Sequence, residues 1–164
     1  MVNELSTVLL VEDNSDDEEL TIRSLKRANL ANPIEVARDG QEALDYLFGT
    51  ESQAASPPPG LVVLDLKLPR IDGLEVLQQI RTDPRTRLVP VVILTSSSEE
   101  RDVINGYHLG ANSFVNKPID FKEFAHAVAQ LGIYWLMINR PAPQADNATK
   151  TTGEPASPTA GGET

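Results

Sequence analysis

Apolar residues fall along this chain in short runs separated by stretches of helical periodicity. The runs at 7–11 (ThrValLeuLeuVal), Leu61–Leu64 (LeuValValLeu) and 91–94 (ValValIleLeu) are almost continuously apolar. Such runs mark strands buried on both faces of a parallel sheet. Ile34–Ala37 and Ser113–Asn116 read as two further strands. Between strands one and two, Asp16, Asp17, Glu18 and Glu19 load a first helical turn, where the macrodipole favours negative charge. Leu20, Leu25 and Ala28 form the inner stripe of that helix, and Lys26 and Arg27 suit its last turn. Asp39-Gly40 turns the chain into a helix over 41–48, with Ala43, Leu44 and Leu47 on one face and Gly49 as its C-terminal stop. Residues 50–60 form a loop stiffened by Pro57-Pro58-Pro59. Asp72 caps a helix over 73–81, and Pro90 opens strand four. Ser97 with Glu100 fits a capping box for a helix to Leu109, stopped by Gly110. Asp120 caps a last helix over 121–138. The pattern predicts an α/β fold of five strand–helix units.

After Arg140 the composition changes. Residues 141–164 are rich in Pro, Ala, Thr, Gly and Ser and contain no large aliphatic or aromatic side chain. Such a segment cannot bury enough apolar surface to offset its ordering entropy, so a folded domain over 5–140 and a disordered tail over 141–164 are expected. The tail is too short and too polar to be an output domain. A net charge of −10 opposes unspecific nucleic-acid binding and attraction to an anionic membrane. With no cysteine, disulfides and thiolate metal sites are excluded. No signal peptide and no stretch long enough to span a membrane is visible, so a cytoplasmic location is expected.

The predicted strands end on reactive groups: strand one at Glu12-Asp13, strand three at Asp65, strand four at Thr95, strand five at Lys117-Pro118. In a parallel α/β sheet, ligands sit outside the carboxyl ends of the strands. Two carboxylates held together there repel unless a cation lies between them, and a few hard oxygen ligands suit Mg²⁺. Singly the bland readings are strong. An acidic pair is most often a solvated loop, a lone Thr after a strand is common, and a lone Lys is usually a surface residue. Asp65, directly after LeuValValLeu, is the hardest to dismiss. Beside Mg²⁺ a carboxylate can attack phosphorus and form an acyl phosphate. The Thr95 hydroxyl can donate to a phosphoryl oxygen, and Lys117 can serve it as a point charge. A cis Lys117–Pro118 peptide is expected to aim that ammonium inward. Phe114 reads as a core aromatic, and His108 and His126 as structural or exposed. No Gly-rich phosphate loop is present.

Together, ValLeuLeuValGluAspAsn, AspGlyGlnGluAlaLeu, ValValLeuAspLeuLysLeuProArgIleAspGly, IleLeuThrSerSer and PheValAsnLysPro resemble the receiver domain of two-component response regulators. The resemblance runs from about Thr7 to the last helix. It implies a doubly wound, flavodoxin-like (βα)5 fold with strand order 2-1-3-4-5. It implies that Asp65 accepts phosphate from a phosphohistidine of a sensor histidine kinase. It implies that Asp13, Asp65 and the Lys67 carbonyl ligate Mg²⁺, with Glu12 acting through water. Thr95 and Phe114 match the hydroxyl and aromatic that move on phosphorylation, and Lys117 matches the phosphate-contacting lysine. Many receivers carry Asp where Glu12 stands. A narrower resemblance, in AsnProIleGluValAlaArgAspGlyGlnGluAlaLeuAspTyrLeuPheGly and LeuGlyIleTyrTrpLeuMetIleAsnArgProAlaPro, is to the stand-alone regulators that partner bacterial phytochrome kinases. Such a domain is not an enzyme beyond its own phosphorylation and dephosphorylation, and it signals by partner binding or phosphorelay.

Three other readings compete. A haloacid-dehalogenase-type aspartyl-phosphate hydrolase wants a second Asp two residues after the nucleophile, where this chain has Lys67. A flavin-binding module would set the flavin phosphate against Glu12-Asp13. A phosphate-independent interaction module would have no use for the full set Asp13, Asp65, Thr95 and Lys117. On the last helix, Phe121, Phe124, Val128, Leu131 and Trp135 form an inner stripe, which leaves Ile133, Tyr134 and Met137 elsewhere. A helix apolar on more than one side suggests a homodimer, with Tyr134 and Met137 near the contact.

Overall fold

The strand–helix alternation is realised in the computed structural model, which describes residues 5–143. The elements are β1 (Val8–Val11), α1 (Ser15–Arg27), β2 (Ile34–Ala37), α2 (Gly40–Phe48), β3 (Leu61–Leu64) and α3 (Gly73–Thr82). They continue with β4 (Val91–Thr95), α4 (Glu100–His108), β5 (Ser113–Asn116), α5 (Phe121–Ile133) and a π-helical turn, Tyr134–Ile138. All strands pair in parallel, in the order β2-β1-β3-β4-β5. The tail expected over 141–164 lies, from residue 144 onward, outside the described residues.

Side-chain alternation along the strands builds two cores. Leu9, Val11, Val62, Leu64, Val91 and Ile93 face α2 and α3, packing on Ala43, Leu47, Val76, Leu77 and Ile80. Val8, Leu10, Leu61, Val63, Val92 and Leu94 face the other way, onto Leu25 of α1 and Phe124, Val128 and Leu131 of α5. Every residue of β1, β3 and β4 is buried, which is why these runs are continuously apolar. The strand order reverses beside β1. There the helices leave opposite faces and open a crevice at the carboxyl ends of β1 and β3.

Asn14, Asp39, Asp72 and Asp120 cap α1, α2, α3 and α5 through their side chains. The capping box expected for α4 does not form. The chain stays extended as far as Glu99, which becomes the N-cap without a side-chain bond. Ser97 thus lies two residues too early. Its hydroxyl pairs with the Asp102 carboxylate, while its carbonyl accepts from Asn116 Nδ2 at 2.7 Å. The last helix also departs from expectation. It is α-helical only to Ile133 before the π turn. Phe121, at its first position, is 71% exposed and does not belong to the inner stripe. Trp135 and Leu136 pack on the second core. No cis peptide bond occurs among the described residues, so the expected cis Lys117–Pro118 bond is trans. No helix among them is long and apolar enough to cross a membrane.

Candidate functional site

Backbone hydrogen bonds lock the strand ends into one rim. Glu12 N–H donates to Ala37 O (2.9 Å), Asp65 N–H to Val11 O (3.0 Å), and Lys117 N–H to Thr95 O (2.7 Å). The turn after β3 folds back tightly. Gly73 N–H donates to Leu66 O (2.8 Å), and a Cβ on Gly73 would lie 2.2 Å from Asp65 O. Glycine there is what lets the start of α3 pack onto the strand end that carries Asp65.

On this rim Asp65 is buried and held at both carboxylate oxygens. Thr95 Oγ1 donates to Oδ1 at 2.8 Å, and Lys117 Nζ donates to Oδ2 at 2.8 Å. Lys117 also reaches Glu12 Oε2 at 2.8 Å. With the lysine in the expected trans backbone, these carboxylates, rather than an isomeric peptide bond, account for the inward aim of the ammonium. Glu12 is buried, while Asp13 next to it is exposed, and carboxylate oxygens of Glu12, Asp13 and Asp65 lie within 4.8 Å of one another. The strand-end expectation therefore brings Glu12, Asp13, Asp65, Thr95 and Lys117 together. Lys67 flanks them, its N–H 3.4 Å from Asp65 Oδ1.

Burial pushes the Glu12 carboxyl up to about 7. The hydrogen bond from Lys117 opposes that rise and the Asp65 charge adds to it. Burial alone would lower the Lys117 ammonium, but hydrogen bonds to Asp65, Glu12 and Asp17 outweigh it and hold the group above the ordinary lysine range. A carboxylate driven toward neutrality beside two others is the electrostatic signature of a site short of positive charge. Three hard oxygen donors within that span fit a divalent cation such as Mg²⁺.

One functional contact escapes the sequence pattern. Asp17, read as a first-turn helix acid, turns inward and accepts from Lys117 Nζ at 2.9 Å. The only signal available was its position one turn beyond Asp13. Phe114, expected in the core, is partly buried against the first cluster. Its ring lies under α4, where Gly106 leaves room. A Cβ there would meet the ring at 3.3 Å and Ile93 Cδ1 at 2.9 Å. His108 and His126 are exposed, away from the site. Tyr134 and Met137 are exposed, 45% and 68%, on the π turn.

The geometry has close counterparts. The chain is 42% identical over 133 residues to the probable methanogenesis regulatory protein FilR2 of Methanothrix harundinacea, covering 81% of this chain and 85% of that protein. It is 37% identical over 134 residues to the response regulator Rcp1 of Synechocystis, covering 82% and 91%. The crystal structure of the Mn²⁺-bound form of Rcp1 superposes with a TM-score of 0.80 over 84% of this chain and 99% of that one. The bacteriophytochrome response regulator AtBRR is 51% identical with a TM-score of 0.64, covering 84% and 99%. Residues 8–129 match the family model of the response regulator receiver domain. With its parallel five-stranded sheet and acidic strand-end site, the chain belongs to the response regulator receiver family of two-component signalling.

Proposed function

We propose that this domain is a phosphorylation switch in which Asp65 accepts a phosphoryl group from a phosphohistidine of a sensor histidine kinase. The observation that carries this reading is the double grip on Asp65, one oxygen on Thr95 and the other on Lys117, with Glu12 and Asp13 in ligand reach. An Asp65 oxygen attacks phosphorus, the bond from phosphorus to the imidazole nitrogen breaks, and the imidazole leaves with the electron pair. The Thr95 hydroxyl and Lys117 ammonium, already aimed at this carboxylate, then meet phosphoryl oxygens. Asp13, Asp65 and the Lys67 carbonyl would hold Mg²⁺, with Glu12 acting through water. The cation supplies positive charge that offsets repulsion between carboxylate and phosphoryl group. Beyond its own phosphorylation and dephosphorylation the domain performs no catalysis.

Movement of Thr95 toward the phosphoryl group vacates space beside Phe114, and the ring's response alters the α4-β5-α5 face. The likeness to a bacteriophytochrome response regulator supports a phytochrome-type kinase as the partner, with the exchange taking place in the cytoplasm. Exposed Ile133, Tyr134, Met137 and Ile138 support a homodimer through the same face, with Tyr134 and Met137 at the contact. Intact-mass measurement after incubation with acetyl phosphate and Mg²⁺ tests the core of the reading. One phosphoryl gain that requires Mg²⁺ and is absent in Asp65→Asn is expected; a gain that survives in Asp65→Asn refutes it.

A further inference from the structure

An ammonium has three N–H donors, and Lys117 commits one to each of Glu12, Asp65 and Asp17 at 2.8–2.9 Å. Glu12 and Asp65 already have parts in the chemistry described above, but Asp17 has none. Its helix does not need its side chain. The cap of α1 is made by Asn14, whose side chain accepts from the Asp17 backbone N–H at 3.0 Å. Asp16 and Glu18 stand beside it as first-turn acids, Glu18 paired with Arg38 at 3.0 Å. Yet the Asp17 carboxylate turns away from the helix end onto a lysine 100 residues later whose side chain is only 8% exposed.

We propose that Asp17 is a positioning residue that acts through Lys117 as an electrostatic brake on phosphoryl capture, and that it discriminates against free dianionic phosphodonors. The proposal rests on Asp65 being the phosphoacceptor. Because Asp17 and Asp65 share one nitrogen, their carboxylate oxygens lie within about 6 Å of each other. A phosphoryl group arriving at Asp65 thus brings negative charge next to a carboxylate that is neither modified nor among the clustered metal-ligand candidates. Asp17 repels that charge and keeps one of the three Lys117 donors. At this separation, in a partly buried site, one charge changes a rate by a factor on the order of 10. A kinase delivers its phosphoryl group within a docked complex, where orientation overcomes such a penalty. A small free donor has no docking energy, so the same carboxylate raises the preference for the kinase.

The test follows phosphorylation of the full chain by intact mass, with Mg²⁺ and two donors: acetyl phosphate, a dianion at neutral pH, and phosphoramidate, which carries one charge less. Asp17→Asn keeps an oxygen for Lys117 and removes the charge, whereas Asp17→Glu keeps the charge. Asp17→Asn is expected to accelerate the acetyl phosphate reaction on the order of 10-fold and the phosphoramidate reaction roughly threefold. Asp17→Glu is expected to stay near wild type. Should the Asn variant fold poorly, Asp17→Ser gives the same charge-free comparison. Equal rates in wild type and Asp17→Asn, a slower variant, or the same acceleration with both donors would overturn the brake. Asp65→Asn separates the two layers. If wild type takes up no phosphoryl group, or Asp65→Asn still does, the assignment of Asp65 falls and the brake falls with it. If uptake depends on Asp65 but not on the Asp17 charge, only the brake is wrong.

Discussion

At the carboxyl end of the sheet, Glu12, Asp65 and Lys117 are charged groups held out of water; on the turn after α5, Tyr134, Met137 and Ile138 are large apolar side chains held in it. Both places depart from the usual partition of residue types, in opposite directions. They differ in where their partners come from. The buried ammonium is answered by carboxylates from the ends of β1 and β3 and from the first turn of α1, all within this chain. It has to be, because an unanswered buried charge costs several kcal/mol, or about that much. The exposed apolar strip has its Tyr134–Trp135 edge contact, with ring centroids 5.1 Å apart, and otherwise faces outward. An apolar side chain in water is only mildly unfavourable, so such a surface can wait for a partner that the fold does not contain. The first region therefore speaks for chemistry done by this chain, and the second for association.

Removing the cation is the harshest way to break that contrast. Lys117→Ala leaves Glu12 and Asp65 buried and facing each other, and is expected to lower the apo stability at neutral pH by about 3–5 kcal/mol in urea titrations. Millimolar Mg²⁺ should return part of the loss. A change of less than about 1 kcal/mol would mean that water reaches the cluster and that its charges are not closed within the fold. A gentler probe is pH. Glu12 is raised from its ordinary 4.5 to about 7, so the folded domain holds that proton more tightly than the unfolded chain does. Its contribution to stability is fully present below about 4.5 and is lost as the pH rises toward 7, by up to about 3 kcal/mol. Metal-free melts between those limits should show the decline, and Glu12→Gln should flatten it. A stability that climbs over the same interval, equally in both proteins, would reverse the sign assigned to burial. The smallest change in stability, within about 0.5 kcal/mol, belongs to Tyr134→Glu with Met137→Glu, because neither side chain is buried in the domain. Light scattering should nonetheless fall from dimer to monomer mass. A wild-type monomer at high micromolar concentration, with and without phosphorylation, would leave the apolar strip without the partner assigned to it.

The strand ends were legible because continuous apolar runs leave little choice of where a central strand stops, and the next residue is then at the rim. The hydroxyl, ammonium and carboxylates fall into place from that one fact. Asp17 was not legible: its neighbours are first-turn acids with an ordinary dipole role, and its partner lies at the far end of β5. Ser97 misled because a capping box is a spacing, and the spacing counts only if the chain turns helical immediately; here two more extended residues intervene. Phe121 misled for a related reason. The 3–4-residue stripe holds from Phe124, but the first residue of a helix capped on the surface has no core beneath it. The π turn has no counterpart in an apolar count that assumes one helical period throughout.

Gly106 has a consequence for time as well as for space. Four α-helices begin with a side-chain cap and bury at least three residues each, whereas α4 begins uncapped and buries a single residue, Gly106 itself. A mid-helix glycine costs about 1 kcal/mol relative to alanine. The notch that seats the Phe114 ring is therefore cut from the helix with the fewest supports of its own. Segments with few buried contacts sit at the low end of the ladder of local opening free energies. On that ladder α4 should open and reclose many times for each opening of α1 or α5, so that its backbone is sampled afresh well within the lifetime of the folded sheet beneath it.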